Sequence, residues 1–275
     1  MPEFLKIIVL AVVQGLTEFL PVSSSGHLVL AEHFMGFETP ENMEAALEIF
    51  LHAGTLVAVI IFYRRKLLAL LLGIFMRERA SLLYAAWVVL SMIPAGIAYA
   101  LGGKGIEDKF GNPHFVAWAL CATGLFMLAT SLLTTPPSGH PSAEWNTSRA
   151  RVPGWLQALV MGVAQAIALL PGVSRSGSTI AAARFLGVKP AEAAEFSFIM
   201  SIPVIGGATL LHLVKHAKDI SATQSWQYAV GALVAGVVGI IAIKSLVALL
   251  GKGKLWCFGV YCIVAGALAL AFLNK

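Results

Sequence analysis

Residues 12–36 read "VVQGLTEFLPVSSSGHLVLAEHFMG" and residues 163–187 read "VAQAIALLPGVSRSGSTIAAARFLG"; at a shift of 151, nine of these 25 positions are identical. The matches pair Gln14 with Gln165, Ser23 with Ser174, Ser25 with Ser176 and Gly26 with Gly177. Chance likeness between two apolar segments would match apolar residues and leave these unmatched. The chain therefore contains an internal repeat, and each copy carries a proline (Pro21, Pro171) and a polar turn between two apolar stretches.

Everything around the repeat is built for lipid. Of 275 residues 58% are hydrophobic and only 12% charged, which places the surface in a membrane. Roughly 20 apolar residues cross a bilayer, and runs of that kind occur at about 49–63, 82–101, 115–133, 196–214, 226–243 and 255–273. A closed barrel needs short alternating strands, whereas these runs are continuous and rich in Leu, Ala and Gly. The expected fold is an all-α integral membrane protein, a single domain over 1–275 with six transmembrane helices. Segments 4–34 and 155–187 add two re-entrant helical hairpins, whose irregular backbone is tolerated only where it lines a cavity. One repeat unit runs over about 1–133 and the other over about 155–275, each a hairpin followed by three spans. That odd number inverts the second unit, and inverted units interrupted by Gly and Pro meet near the bilayer midplane. The competing reading makes 155–173, which carries no charge over 19 residues, a seventh span.

Threading six spans gathers eleven Lys and Arg on one side (Arg64, Arg65, Lys66, Arg77, Arg79, Arg149, Arg151, Arg184, Lys189, Lys252, Lys254) and six on the other (Lys6, Lys104, Lys109, Lys215, Lys218, Lys275). The first side is cytoplasmic by the positive-inside rule. Both termini and the loops near 102–113 and 215–225 then face outward. Lys6, Gln14 and Glu18 interrupt any signal-peptide pattern, so a mature chain starting near Met1 is expected. Cys121, Cys257 and Cys262 fall within spans and read as packing residues, with neither disulfide nor metal spacing.

The polar turns carry the chemistry. A hairpin turn that starts a new helix with Ser at its N-cap presents unpaired N–H groups and a partial positive charge, so an anion is the expected occupant. Arg175 adds a planar fork suited to phosphate, and Ser24 occupies its position in the first copy. Conversely, Glu18 and His27 align with Leu169 and Ser178. One copy holds the guanidinium, the other the carboxylate and imidazole. Gln14 and Glu18, four apart, share a helix face, and an ionised Glu18 there needs a metal, His27 or Arg175 as partner. His27 suits proton transfer and Ser24 nucleophilic attack, a set that suffices for phosphoryl transfer. Each also has a structural alternative: Glu18 and Arg175 as a buried tether, His27 as a packing residue, the serines as turn and interface residues.

At these residues the chain resembles the undecaprenyl-diphosphate phosphatase family of bacterial membrane enzymes. "QGLTE" (14–18) corresponds to its Glu/Gln-x-x-x-Glu motif and "LPVSSSGH" (20–27) to its serine turn. "PGVSRSGST" (171–179) corresponds to its Pro-Gly-x-Ser-Arg-Ser motif. Span pattern and motif order agree over essentially the whole chain, with Gln14 standing where the motif also allows Glu. The resemblance implies hydrolysis of a polyprenyl diphosphate to the monophosphate lipid carrier used in peptidoglycan and envelope polysaccharide synthesis. It implies Glu18, His27 and Arg175 as catalytic residues and Ser24 as candidate nucleophile. Ser23, Ser25, Gly26, Ser174, Ser176, Gly177 and Thr179 would form the phosphate-binding environment. A divalent cation, Mg²⁺ or Ca²⁺, is implied as cofactor, with Gln14 and Glu18 the nearest protein ligands and the diphosphate as its other holder. A phosphoserine on Ser24 and a water activated by Glu18 or His27 both remain open as routes. The expected partners are the lipid substrate and membrane lipid, with no nucleic acid and with a homodimer as an open assembly state. The expected location is the bacterial inner membrane, with the site opening to the periplasmic or outer face.

Other polar features weigh less. "PPSGH" (136–140) reads as a turn, because the companion motifs of the type 2 phosphatidic acid phosphatases are absent. Glu48 with His52, and Glu195, start the spans after the hairpins and either line the cavity or cap helices. Lys244 reads as snorkelling to the cytoplasmic interface. The glycine-rich stretches 204–211 and 231–239 read as helix-packing devices before they read as lipid grooves. The rival function is a secondary transporter or lipid flippase, which shares inverted repeats but needs no carboxylate, histidine and serine around the arginine.

Overall fold

The computed structural model describes residues 2–36, 41–133, 154–216 and 222–274, and among them the chain is helical throughout. The first hairpin pairs α1 (Glu3–Thr17) with α2 (Ser24–Met35); α3 (Glu41–Phe62), α4 (Arg64–Phe75), α5 (Arg79–Glu107) and α6 (Pro113–Leu133) follow. The second pairs α7 (Trp155–Ile167) with α8 (Arg175–Phe185), before α9 (Pro190–His216), α10 (Ala222–Gly251) and α11 (Leu255–Leu273). At ~1.5 Å per residue, the 15 residues of α1 and 13 of α7 fall short of a bilayer's ~30 Å core. Residues 155–173 are thus not a seventh span.

Among the described residues five helices are long and apolar enough to cross a membrane: α5, α6, α9, α10 and α11. The run expected as a span at about 49–63 lies in α3, and the chain bends at its end: Ala46–Phe62 and Arg64–Phe75 meet at 73° and together make a sixth candidate span. The sequence reading leaves 64–75 as a cytoplasmic connection, because Arg64, Arg65 and Lys66 end the apolar run. Beyond them Leu67 and Leu70 pack on the core while Leu68, Leu71, Leu72 and Phe75 are exposed, so α4 turns one apolar face to the protein and another outward. "PPSGH" lies outside the described residues.

Packing brings the hairpins to the centre. α1 lies along α10, α7 along α5, α6 against α11, and α3 between α9 and α10. The main core gathers Phe19, Tyr63, Tyr84, Phe196 and Phe198, with Phe19 edge-on to Phe198 at 5.5 Å between ring centres. The two polar turns touch: a Cβ on Gly26 would stand 2.9 Å from the Gly172 Cα. Gly172 has φ +88°, and a Cβ there would meet the Val116 carbonyl oxygen at 2.5 Å and the Ala119 Cβ at 2.8 Å. Gly172→Ala therefore combines left-handed strain with a backbone clash and is expected to cost about 2 kcal/mol or more. Its unfolding midpoint in detergent should fall well below that of Gly96→Ala, a helical position with nothing within 4 Å of an added Cβ. Equal midpoints would refute this reading of the turn.

Candidate active site

Each turn is fixed by its own serine. Ser23 is the N-cap of α2, its Oγ accepting from the Gly26 N–H at 3.3 Å; Ser174 is the N-cap of α8, its Oγ accepting from the Gly177 N–H at 3.0 Å. Thr123 of α6 anchors the second turn, donating to the Gly172 carbonyl at 3.2 Å and accepting from the Ser174 N–H at 3.4 Å. Ser176 ties the turns together by donating to the Leu20 carbonyl at 3.1 Å. Two helices thus begin side by side, and the first-turn N–H groups that follow a cap have no intrahelical partner.

Between them sits an ion pair. Arg175 donates through Nη2 to Glu18 Oε1 at 2.6 Å, across 157 residues, and through Nη1 to the Ser197 carbonyl of α9 at 3.2 Å. Glu18 is 7% exposed. Its other oxygen, Oε2, accepts from Ser24 Oγ at 2.6 Å and Gln14 Nε2 at 3.2 Å, with His52 Nε2 at 3.7 Å. Glu18 is therefore at once a buried ion-pair partner and a hydrogen-bond acceptor for Ser24. Desolvated pairs of this kind are rarely decorative, since each charge costs several kcal/mol to bury unpartnered.

Glu18, Arg175, Ser23, Ser24, Ser25, Ser174, Ser176 and His52 line one cavity of about 330 Å³. Phe110, from the connection between α5 and α6, lines one side, and Ile49, Val204, Ile205 and Ala208 form an apolar flank with Thr209 beside them. Stretch 204–211 thus contributes to the cavity wall. Stretch 231–239 packs helices, with Gly231 against Ile7 and Leu51, Gly236 against Gly54, and Gly239 against Phe19.

Five expected site residues stand off the cavity. Gly26 and Gly177 spend their N–H groups on the serine caps. Thr179 donates to the Arg175 carbonyl at 2.8 Å and meets Ser197 Oγ at 2.7 Å, which braces the arginine from behind. His27 faces α11: its Nδ1 lies 2.8 Å from the Ser23 carbonyl, its Nε2 2.9 Å from the Tyr261 hydroxyl, and its ring stacks on that of Tyr261. Gln14 is fully buried beneath Glu18, with its amide oxygen lacking a hydrogen-bond partner.

The implied divalent cation finds no cage here. Among the described residues no three His, Cys, Asp or Glu side chains converge, and both Glu18 oxygens are engaged by Arg175, Ser24 and Gln14. Of the two residues named for it, Gln14 keeps an amide oxygen without a hydrogen-bond partner. The three cysteines are free, with Cys262 Sγ 3.7 Å from the Pro21 carbonyl, as packing residues. Lys66, expected in a loop, pairs with Glu195 at 2.8 Å, so Glu195 neither caps a helix end nor lines the cavity.

Fold and site together define a multi-pass membrane protein whose two hairpin turns meet at an internal cavity around a buried carboxylate and guanidinium. The chain belongs to the family described as bacitracin resistance protein BacA, whose model matches residues 7–268. It is 38% identical over 282 residues to an undecaprenyl-diphosphatase of Rubrobacter xylanophilus, covering 99% of each chain. It is 37% identical over 285 residues to that of Desulfatibacillum aliphaticivorans, with 98% of each chain covered. With an undecaprenyl-diphosphatase of Methanococcus maripaludis it shares 38% over 266 residues, 97% of this chain and 99% of the relative.

Proposed function

We propose that this chain is an undecaprenyl-diphosphatase, removing the terminal phosphate of undecaprenyl diphosphate to leave undecaprenyl phosphate and inorganic phosphate. The observation that carries the reading is the Arg175–Glu18 pair at 2.6 Å, set between two serine-capped helix starts in a cavity with an apolar flank. The diphosphate lies against the α2 and α8 N-termini and the remaining Arg175 N–H groups, which stabilise the charge spread over the transferring phosphoryl oxygens. Ser24, whose hydroxyl already donates to Glu18, is the nucleophile, and Glu18 is the first acceptor of its proton. The lipid chain leaves along Ile49, Val204, Ile205 and Ala208 toward the bilayer.

A divalent cation arrives on the diphosphate, since both Glu18 oxygens are engaged and of the expected pair Gln14 alone keeps a spare amide oxygen. The site opens to the outer face of the cytoplasmic membrane. Phe110 supports this: it belongs to the connection that the charge count places outside. The inverted relation of the two units is part of the same reading, supported by the exchange in which α1 lies along α10 of the second unit and α7 along α5 of the first. The diphosphatase names of the relatives favour hydrolysis over transport. Purified protein in detergent with Mg²⁺ and undecaprenyl diphosphate is expected to release inorganic phosphate. A folded preparation that binds the lipid yet releases none overturns the proposal.

A further inference from the structure

Two histidines approach the reacting centre, and their ring nitrogens are committed differently. A carbonyl oxygen can only accept a hydrogen bond, so Nδ1 of His27, 2.8 Å from the Ser23 carbonyl, and Nδ1 of His52, 2.8 Å from the Glu48 carbonyl, each carry a hydrogen. A neutral ring in that tautomer presents a lone pair at Nε2. In His27 that lone pair is satisfied by the Tyr261 hydroxyl at 2.9 Å, off the cavity. In His52 it faces the cavity, 3.7 Å from Glu18 Oε2, the same oxygen that receives the Ser24 hydroxyl.

We propose that His52, and not His27, is the proton acceptor of this site. The inference rests on the hydrolase reading above. Glu18 alone is poorly placed to keep a proton, since Arg175 holds its other oxygen at 2.6 Å and Gln14 donates to the reacting one at 3.2 Å. In the first half-reaction Ser24 Oγ bonds to the terminal phosphorus, the bridging P–O bond breaks, and its electron pair leaves with the lipid monophosphate. The Ser24 proton passes by Glu18 Oε2 to His52 Nε2, leaving an imidazolium beside a carboxylate. His52 then releases that proton to solvent through the cavity. In the second half-reaction a water oxygen bonds to phosphorus, one of its protons returns through the same pair to the departing Ser24 oxygen, and the other stays on the inorganic phosphate. His27 keeps a positioning role, bracing the Ser23 turn against α11. Of the residues that line the cavity with His52, the charged ones are Glu18 from the first hairpin, Arg175 from the second and Glu48 one turn back on α3. The residues that α9 gives to the lining, Val204, Ile205, Ala208 and Thr209, are not ionisable.

Steady-state phosphate release is to be followed against pH for the parent, His52→Gln, His52→Asn and His27→Gln, with thermal melting alongside. His52→Gln and His52→Asn should each lose about 10²-fold in kcat with KM within a few-fold, and should lose the acid limb of the kcat profile. His52→Ala should recover part of its rate with added imidazole. Should the glutamine variant fail to fold, the asparagine variant and the imidazole rescue carry the same discrimination. Either His52 variant, folded, with kcat within threefold of the parent and its acid limb intact would overturn the assignment, as would loss of that limb in His27→Gln alone. A parent that releases no phosphate would instead defeat the hydrolase reading on which the assignment stands.

Discussion

Arg175→Ala is expected to lower phosphate release from undecaprenyl diphosphate by about 10³-fold or more, the range for removing an arginine that stabilises a transferring phosphoryl group. The side chain holds two groups at once, Glu18 Oε1 at 2.6 Å and the Ser197 carbonyl at 3.2 Å, and under the proposed function its remaining N–H groups meet the phosphate. Truncation also leaves Glu18 an uncompensated carboxylate, a loss of about 3–5 kcal/mol in comparable buried pairs. Stability and activity then fall together, so the single variant must be read with two others. Arg175→Lys keeps the charge but not the fork; it should melt close to the parent and still lose about 10²-fold in kcat/KM. The double variant Glu18→Gln with Arg175→Ala removes both charges; it should regain most of the melting temperature lost by Arg175→Ala and none of the activity, because the pair's catalytic contribution is not additive. An Arg175→Ala protein within tenfold of the parent would place the phosphate elsewhere.

How much of this was legible in the sequence differs between elements for identifiable reasons. The hairpins were legible because Pro, Ser and Gly interrupt apolar runs at matching places, and because a serine just before a helix start is a local signal that needs no tertiary knowledge. Ser23 and Ser174 cap as expected. The bend at Tyr63 was not, since Arg64, Arg65 and Lys66 end a hydropathy window whether the chain continues as loop or as helix. Glu18 and Arg175 stood out as charges at membrane depth, and the repeat supplied the reason to bring them together. The direction of His27 was hidden because it depends on which face of α2 meets Tyr261, 234 residues away. Thr123 and Ser197 were hidden for a simpler reason. A lone hydroxyl in an apolar helix usually bonds back to its own turn, and only the packed hairpins show these two bracing the second turn and the arginine behind it. His52 sat between two readings, cap or cavity wall, until α3 was placed against the first hairpin.

Ser24→Ala should prove as damaging as the loss of Arg175, with kcat down by about 10³-fold or more and KM within a few-fold, because a nucleophile acts only in the reacting complex. The substitution leaves the Arg175–Glu18 pair standing and removes a single hydroxyl at 2.6 Å from Glu18 Oε2, so melting should stay near the parent. Ser25→Ala makes the fitting control, since Ser25 lines the same cavity but its hydroxyl contacts Ser23 at 3.4 Å rather than the carboxylate; a loss of about 10-fold is expected there. Rates alone do not separate an attacking serine from a serine that merely aligns an attacking water, and the stereochemistry at phosphorus does. With a terminal thiophosphate made chiral by oxygen isotopes, attack by Ser24 followed by hydrolysis of the phosphoserine inverts phosphorus twice and returns overall retention. Direct attack by water inverts it once. Retention with acid-stable label on Ser24 supports the covalent route. Inversion, together with a Ser24→Ala protein that keeps its rate within tenfold, would reduce Ser24 to a donor at the phosphate and move the attacking oxygen to a water held between Glu18 and His52.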